Sequence, residues 1–295
     1  ILIGLVGSEM CIRDSYNRAY IINKLYTSLC LQTCQDFEWL IVDDGSTDTT
    51  ESLITSFIEE HKINIRYVKQ LNGGKHRAIN RGVQLAKGDL FFIVDSDDQL
   101  PPNSIETVLT YYTQIADESS FAGVCGLKYY FSGEKVGGDF AYEVLDCNAI
   151  DFRYKYNLTG DMAEVFKTSI LREYPFPEFE NEKFCPEALV WNRISSKYKL
   201  RYFNKNIYFC DYLPDGLTAK IVKIRMNSPL ASMLHYSELS VMPIPFAQKL
   251  KAIINYWRFS FYAKNTFISK VRQIGVFALV MYPFGLLYHL KDLHL

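Results

Sequence analysis

No Cys-x-x-Cys pair occurs in these 295 residues, and the seven cysteines are an odd number with no histidine beside them at metal-ligand spacing. No zinc-ligand spacing is present on that count, and reduced thiols in a cytosolic compartment are expected. Ile1–Val6 is apolar but short, and no basic segment precedes it, so it does not read as a secretory leader. There is no internal repeat and no low-complexity segment, which removes solenoids and disordered arrays from consideration. His61, His235, His289 and His294 form no constellation. Charge of one sign is also lacking, since 32 Lys and Arg face 33 Asp and Glu. With no binding motif besides, nucleic acid is not an expected partner.

What is present points to a packed α/β protein. Apolar residues make up 48% and charged residues 22%, enough for a substantial core. The length suits one large domain with an appendage, or two domains. Charge is unevenly placed: residues 1–218 carry 22 Lys and Arg against 31 Asp and Glu, whereas residues 219–295 carry 10 against 2. A basic tail of that kind suggests an anionic surface as a neighbour. At the other end, Glu9–Asp14 shows no periodicity, and Gly7–Ser15 resembles translated sequencing-adaptor sequence. Residues 1–14 are therefore expected to be a non-native start, with Ile1–Val6 as the alternative first strand.

From Tyr16 onward the chain alternates. Ala19–Cys34 carries Ile21, Ile22, Leu25 and Leu29 on a helical stripe; Phe37–Val42 reads as a strand. A helix to about Glu60 follows, then a strand Ile63–Val68 and a helix Lys75–Ala86. Leu90–Val94 is the next strand, with a helix at Pro102–Ala116 and a strand at Ala122–Leu127. Strand-helix-strand repetition with short connections predicts right-handed crossovers and a mostly parallel sheet flanked by helices.

Two of these strands end in acids. Phe91-Phe92-Ile93-Val94 runs into Asp95-Ser96-Asp97-Asp98, and Val42 runs into Asp43-Asp44-Gly45-Ser46-Thr47-Asp48. Helix capping accounts for part of this, through Asp48 with Glu51, or through Asp98 or Asn103 for the helix after Pro101-Pro102. A cap needs one side-chain oxygen, however, and not the five carboxylates Asp43, Asp44, Asp95, Asp97 and Asp98. Hard oxygen ligands gathered at a strand's carboxyl edge suit a divalent cation at the place where open α/β sheets bind ligands.

Tyr16-Asn17-Arg18, Val42–Asp48, Asn72-Gly73-Gly74-Lys75-His76 and Asp95–Asp98 together resemble the family 2 inverting glycosyltransferases of GT-A fold, a Rossmann-like class. The resemblance covers residues 15–218 and leaves 219–295 as a helical C-terminal extension. It implies a nucleotide diphosphate sugar donor, most often a UDP-sugar, over the first half of the sheet. Tyr16 would lie against the base and Asp43 would accept a hydrogen bond from it, with Arg18, Gly45 and Ser96 in the same set. Lys75 and His76 would lie near the nucleotide, Asp95 and Asp97 would serve ribose and metal, and Asp98 is a second metal candidate. The family usually has a proline before Tyr16, where this chain has Ile12-Arg13-Asp14-Ser15. Tyr212–Thr218 resembles the family's closing loop, with a plain Pro-Asp-Gly turn as the other reading.

The chemistry explains these residue types. Negative charge grows on the departing nucleotide diphosphate, and a Mg²⁺ or Mn²⁺ on oxygen ligands would neutralise it. The acceptor hydroxyl must lose a proton, which requires a general base. Asn181–Trp191 resembles the family's acceptor-side segment, which makes Glu187, just before an apolar helix, the expected base and Glu182 the reserve. Asp161 and Glu164 precede a run read as helical, Val165–Arg172, and could reach the acceptor, a glycan or a lipid-linked sugar. Transfer to a polyprenyl phosphate and non-catalytic donor binding are the alternatives.

The tail reads as one amphipathic helix over Lys249–Gln273, its apolar face of Leu250, Ile253, Ile254, Trp257, Phe261 and Ile268 rimmed by lysine and arginine. Gln273–Leu290 follows without any Asp, Glu, Lys or Arg; as a helix it would reach about 27 Å, barely a bilayer core, and Pro283 would kink it. Peripheral attachment to the inner membrane face and packing against the rest of the protein are both open readings.

Overall fold

The computed structural model describes residues 8–211 and 220–294, and side chains from Tyr16 onward. Ile1–Val6 and the expected closing loop Tyr212–Thr218 lie outside the described residues. In chain order the elements are β1 (Ser8–Ser15), α1 (Ile22–Cys30), β2 (Phe37–Asp43), α2 (Thr50–Glu59), β3 (Asn64–Lys69), α3 (Lys75–Leu85), β4 (Leu90–Val94) and α4 (Ser104–Thr113). Next come β5 (Phe121–Tyr130), β6 (Val144–Cys147), α5 (Ala149–Tyr154), β7 (Met162–Lys167), α6 (Thr168–Glu173), α7 (Glu187–Ser195) and β8 (Lys199–Cys210). The C-terminal helices are α8 (Ile221–Met226), α9 (Pro229–Val241), α10 (Phe246–Ser260), α11 (Phe267–Ile274), a 3₁₀ helix (Val276–Met281) and α12 (Tyr282–Asp292).

Two compact units result: Ile1–Pro175 with Ile194–Asp211, and Phe176–Arg193 with Tyr212–Leu295. The boundary expected after residue 218 is therefore not where the units part, because the acceptor-side segment clusters with the C-terminal helices.

The first unit is one eight-stranded sheet in the order β3-β2-β1-β4-β7-β5-β8-β6. Its first four strands are mutually parallel, as expected, and β1 runs between β2 and β4. The chain lays down β1, β2 and β3 in one direction and then crosses back to place β4 on the other side of β1. That reversal makes a topological switch point at the carboxyl ends of β1 and β4. Ser8–Ser15, aperiodic in sequence, is the inner strand that makes the switch point.

Beyond β4 the sheet is mixed, with β7 antiparallel to both β4 and β5. The helix expected over Val165–Arg172 is a correction: β7 occupies Met162–Lys167, and α6 begins only at Thr168. Met162, Ala163, Val165 and Phe166 are all buried, so this strand has the short apolar run that periodicity alone cannot tell from a buried helix. One face of the sheet is closed by α1, whose Ile22, Leu25, Tyr26 and Leu29 join Trp39, Ile41 and Phe57 in the core. Tyr26 stacks on Phe57 with ring centroids 3.9 Å apart. Each such side chain contributes about 1.5–3 kcal/mol on burial.

In the second unit the single helix expected over Lys249–Gln273 is two, α10 and α11. The break has identifiable causes. Lys270 Nζ donates to the carbonyls of Ser260 (2.6 Å) and Ala263 (2.8 Å), satisfying groups that α10 leaves open at its end. Thr266 Oγ1 then accepts from Ser269 N–H at 3.3 Å and starts α11. Trp257 is fully buried and donates its indole N–H to the Ala278 carbonyl at 2.8 Å, so it is a core residue. Gln273–Leu290 is broken at Gly275 (φ +93°), and Pro283 opens α12 rather than kinking a longer helix. Among the described residues no single helix is long and apolar enough to cross a membrane; Phe267–Ile274 and Val276–Asp292 qualify only as a pair, bent by 111°. His235 is buried in α9, where burial and then Arg225 push its imidazole down to about 3, so it stays neutral.

Gly285 lets α12 approach α10. A Cβ placed there would stand 2.3 Å from Trp257 Cβ and 3.0 Å from the Ile254 carbonyl oxygen. Gly285→Ala is expected to destabilise the protein by about 1–3 kcal/mol through overpacking, read as a lowered midpoint in urea or thermal denaturation.

Candidate functional site

Because β1, β2 and β4 are parallel neighbours, their carboxyl ends share one edge, and both acidic turns stand there. Ser15 of β1 is in register with Asp43 of β2, and Ile12 with Val94 of β4. At about 4.8 Å per strand, the two turns stand about 10 Å apart across β1.

The turn after β2 is braced by its own side chains. Buried Asp43 accepts from the Ser46 N–H at 2.8 Å and from the Tyr67 hydroxyl at 2.5 Å. Asp44, also buried, accepts from Gln70 Nε2 and Gly73 N–H, both at 2.8 Å, and from Gly74 N–H at 2.7 Å. Asn72 Nδ2 donates to the Asp44 carbonyl at 2.9 Å. Asp44 thus shapes the Asn72-Gly73-Gly74 loop and sets the start of α3, whose first residues, Lys75 and His76, are buried. Gly45 (φ +85°) cannot carry a side chain cheaply, since a Cβ would lie 2.9 Å from the Asn72 nitrogen.

The turn after β1 is tied to the same structure. Asn17 N–H donates to Ser46 Oγ at 2.9 Å, and Asn17 Oδ1 accepts from Thr47 N–H at 2.8 Å. Ala19 N–H donates to Asp48 Oδ2 at 3.2 Å, while Asp48 Oδ1 accepts from Thr50 N–H and hydroxyl at 3.0 and 2.6 Å. Asp48 braces the entry to α2 through Thr50 and also holds the Tyr16 turn, but the expected capping box is not formed: Thr49 is the N-cap position without a side-chain cap bond, and Glu51 pairs with Lys69 at 2.6 Å. Tyr16 remains exposed, and Arg18 Nη1 donates to the Tyr20 hydroxyl at 2.8 Å.

The turn after β4 is organised by a residue more than a hundred positions away. Tyr208 of β8 donates its hydroxyl to Asp98 Oδ2 at 2.6 Å and accepts from the Asp95 N–H at 2.9 Å. Asp98 is buried against it, as is Ser96, while Asp95 and Asp97 are half-buried. Asn103, the other candidate cap, makes no side-chain cap bond to α4. Burial, and next the charge of Asp95, push the Asp98 carboxyl up to about 8, even though the Tyr208 hydroxyl and Lys128 pull it down.

Lys128 completes the edge. Its Nζ lies 4.2 Å from the centroid of the Tyr208 ring. Burial alone would lower its ammonium, but Asp95, Glu164, Asp98 and Asp161 hold it above its ordinary value. Sheet register explains the grouping. Phe92 pairs with Val165 and Leu127 with Met162, so the start of β7 stands beside the ends of β4 and β5. Asp161 is exposed there and Glu164 is half-buried in β7.

Asp43, Gly45, Lys75, His76, Asp95, Ser96, Asp97, Asp98 and Asp161 therefore share one sheet edge. Sequence reasoning missed Asp44, Tyr67, Lys128 and Tyr208. Only Asp44 had a local signal, as the second acid of its turn. Among the described residues no three His, Cys, Asp or Glu side chains are arranged as a preformed metal cage. The donor set after β4 is nonetheless all oxygen, and Mg²⁺ is commonly held by one or two carboxylates with substrate phosphates supplying the rest. Asp97 fits that manner of binding, while Asp98 is turned to Tyr208.

The two glutamates of the second unit differ. Glu187 is the first residue of α7 and half-buried. Glu182 is buried and accepts from the backbone N–H groups of Leu230 (2.7 Å) and Ala231 (2.9 Å), the first turn of α9. It satisfies open donors of that helix, a structural task.

The sequence pattern described as Glycosyl transferase family 2 matches residues 12–170. Glycosyltransferase GlyG of Streptococcus pneumoniae is 31% identical over 209 residues, 65% of this chain and 67% of that protein. Of three further relatives the chain spans only 31%, 19% and 19% of the length. Among solved structures, S. aureus TarS 1-349 in complex with UDP-GlcNAc superposes with a TM-score of 0.66 at 17% identity, covering 97% of this chain and 89% of that one. The mannosyltransferase PcManGT of Pyrobaculum calidifontis, in complex with GDP-Man and Mn²⁺, gives 0.55 at 16% identity, covering 97% and 86%. These likenesses bear out the expected GT-A fold.

The raised Asp98 carboxyl has a pH consequence. Its folded value lies above its unfolded one, so it favours the folded state at low pH, and that contribution is lost as pH rises from about 4 to about 8. In metal-free buffer, Asp98→Asn is expected to flatten the decline in stability over this window. Tyr208→Phe, which leaves Asp98 without its donor, is expected to cost about 1–3 kcal/mol by denaturant titration.

Proposed function

This chain belongs to glycosyl transferase family 2 and is a glycosyltransferase, and on that premise we propose that it moves a sugar, with inversion, from a nucleotide diphosphate donor to an acceptor hydroxyl. The observation that carries the reading is the pair of acidic turns flanking β1 at the switch point of the parallel sheet. A UDP-sugar is the favoured donor. The UDP-GlcNAc bound by TarS supports that choice, and the GDP-Man of PcManGT keeps the diphosphate as the common element.

In this reading the base lies over the Tyr16 turn and is held by Asp43, while Asp95 and Ser96 take the ribose. Lys75 and His76, at the start of α3, add positive charge and N–H donors near the nucleotide. Asp97 would hold a Mg²⁺ or Mn²⁺ at this turn, and such an ion would supply Lewis-acid charge to the departing diphosphate. Asp98 acts through Tyr208: the hydroxyl bridges the Asp98 carboxyl and the Asp95 N–H and so fixes the turn that aims Asp97. Glu187, the first residue of α7, is the general base that takes the acceptor's proton. Glu182 is not proposed as a base, because its carboxylate serves α9. Asp161, exposed beside Lys128, is an acceptor-side residue, and the acceptor is a glycan or a lipid-linked sugar. The free cysteines Cys30, Cys34, Cys125, Cys147, Cys185 and Cys210 support a cytoplasmic location.

The test combines donor-dependent thermal stabilisation across UDP-, GDP- and dTDP-sugars with nucleotide release. Glu187→Gln is expected to lower kcat by on the order of 10²–10⁴ while keeping donor stabilisation. Chelation, or Asp97→Asn, is expected to abolish turnover, with Mn²⁺ restoring only the chelated wild type. Full turnover by Glu187→Gln on a polyprenyl phosphate, an acceptor already anionic, would replace this reading with the polyprenyl-phosphate one.

A further inference from the structure

The C-terminal helices leave an apolar face outward that the core does not use. Along the 3₁₀ helix and α12, Phe277, Val280, Phe284 and Leu287 recur at spacings of three and four, a single helical stripe ending in Lys291. All four are exposed, Phe277 to 91% and Val280 to 69%. The inward face of the same elements is different and already occupied. Ala278 receives the Trp257 indole, Gly285 packs on Trp257, and Asp292 is bound to Arg258 at 2.7 and 2.6 Å. On α11, Ile268 (71% exposed) is likewise outward, with Lys264 four positions before it and Arg272 four after, both exposed, while Phe267 packs on Trp257.

The ion pairs of this region decide what could cover such a face. Residues 219–295 contain only two acids, Glu238 and Asp292. Glu238 is held by Arg193 at 2.9 and 2.6 Å, and Asp292 by Arg258. Both carboxylates are thus consumed inside the unit, and the exposed Lys251, Lys264, Arg272 and Lys291 have no acid from these residues to neutralise them. We propose that α11, the 3₁₀ helix and α12 form an in-plane docking surface for an anionic phospholipid bilayer, with the Phe277–Leu287 stripe and Ile268 entering the headgroup boundary and the cations meeting lipid phosphates. Amphipathic helices of this make-up bury their apolar face about 5–10 Å into that boundary. A second copy of the chain is a poorer occupant, because it would bring the same cations together with no acids between them. The 111° bend rules out one straight span through these helices. This inference does not depend on the sugar-transfer reading.

The experiment is flotation of the full chain with vesicles of pure phosphatidylcholine and of phosphatidylcholine mixed with phosphatidylglycerol, at low and high salt. Flotation with the anionic vesicles only, weakened by salt, is expected. Phe277→Asp with Val280→Asp should abolish it. Replacing Lys264, Arg272 and Lys291 by Ser should lower partitioning on the order of a hundredfold, roughly fivefold per cation. Thermal midpoints within a degree or two of the wild type establish that these surface variants fold, and the Ser variant keeps the question answerable if the Asp pair does not. No flotation, equal flotation with neutral vesicles, or a salt-independent dimer in sedimentation that the Asp pair dissolves would each overturn the proposal.

Discussion

Parallel pairing of β1 with both β2 and β4 is the constraint on which the rest depends. A strand closing on one neighbour only would leave the two acidic turns unrelated. Closing on both, in the same direction, forces Asp43 and Asp95 to the same edge whatever their side chains prefer. The backbone ladder that does this is indifferent to side-chain pattern, since each residue contributes one N–H and one C=O. That is why Ser8–Ser15, with no alternation of its own, forms the inner strand.

The edge brought together this way is electrostatically expensive, and the structure meets the cost by several routes. Asp43 and Asp44 are given hydrogen-bond donors from Tyr67, Ser46, Gln70 and the Gly73-Gly74 backbone, the arrangement that lets a buried carboxylate stay in place. Asp98 is treated otherwise: it receives one strong donor, Tyr208, and is pushed toward its neutral form by burial. Lys128 offsets the remaining charge of Asp95, Glu164 and Asp161. Each acid is thus managed separately, with Asp98 buried and Asp95 and Asp97 half-buried.

Legibility in the sequence followed the range of the forces involved. β4 lies at Leu90–Val94 as its apolar run indicated, and α3 begins at Lys75 after its two glycines. The turn role of Asp48 is local, through Thr50 two residues on, whereas its expected capping partner Glu51 is drawn instead to Lys69 of the neighbouring strand. The Tyr208–Asp98 bond spans 110 positions and has no local trace. β7 was misread because burial on both faces erases alternation, and the tail was misread because a lysine capping carbonyls ten residues earlier, as Lys270 does for Ser260, looks in sequence like one more cation on a stripe. Glu182 and Glu187 were indistinguishable by type. The backbone donors of Leu230 and Ala231 separate them, and those lie 48 and 49 positions on.

The charge asymmetry acquires a physical meaning once the ion pairs are known. Residues 1–218 carry an excess of nine acids and residues 219–295 an excess of eight bases. In the tail the acids are spent on Arg193 and Arg258, so the excess is expressed at the surface rather than cancelled within. An anionic surface within a Debye length, about 10 Å at 0.1 M salt, would attract the tail and repel the acidic sheet edge. Neutralising the tail would therefore change how the protein meets a surface before it changed what the site can bind.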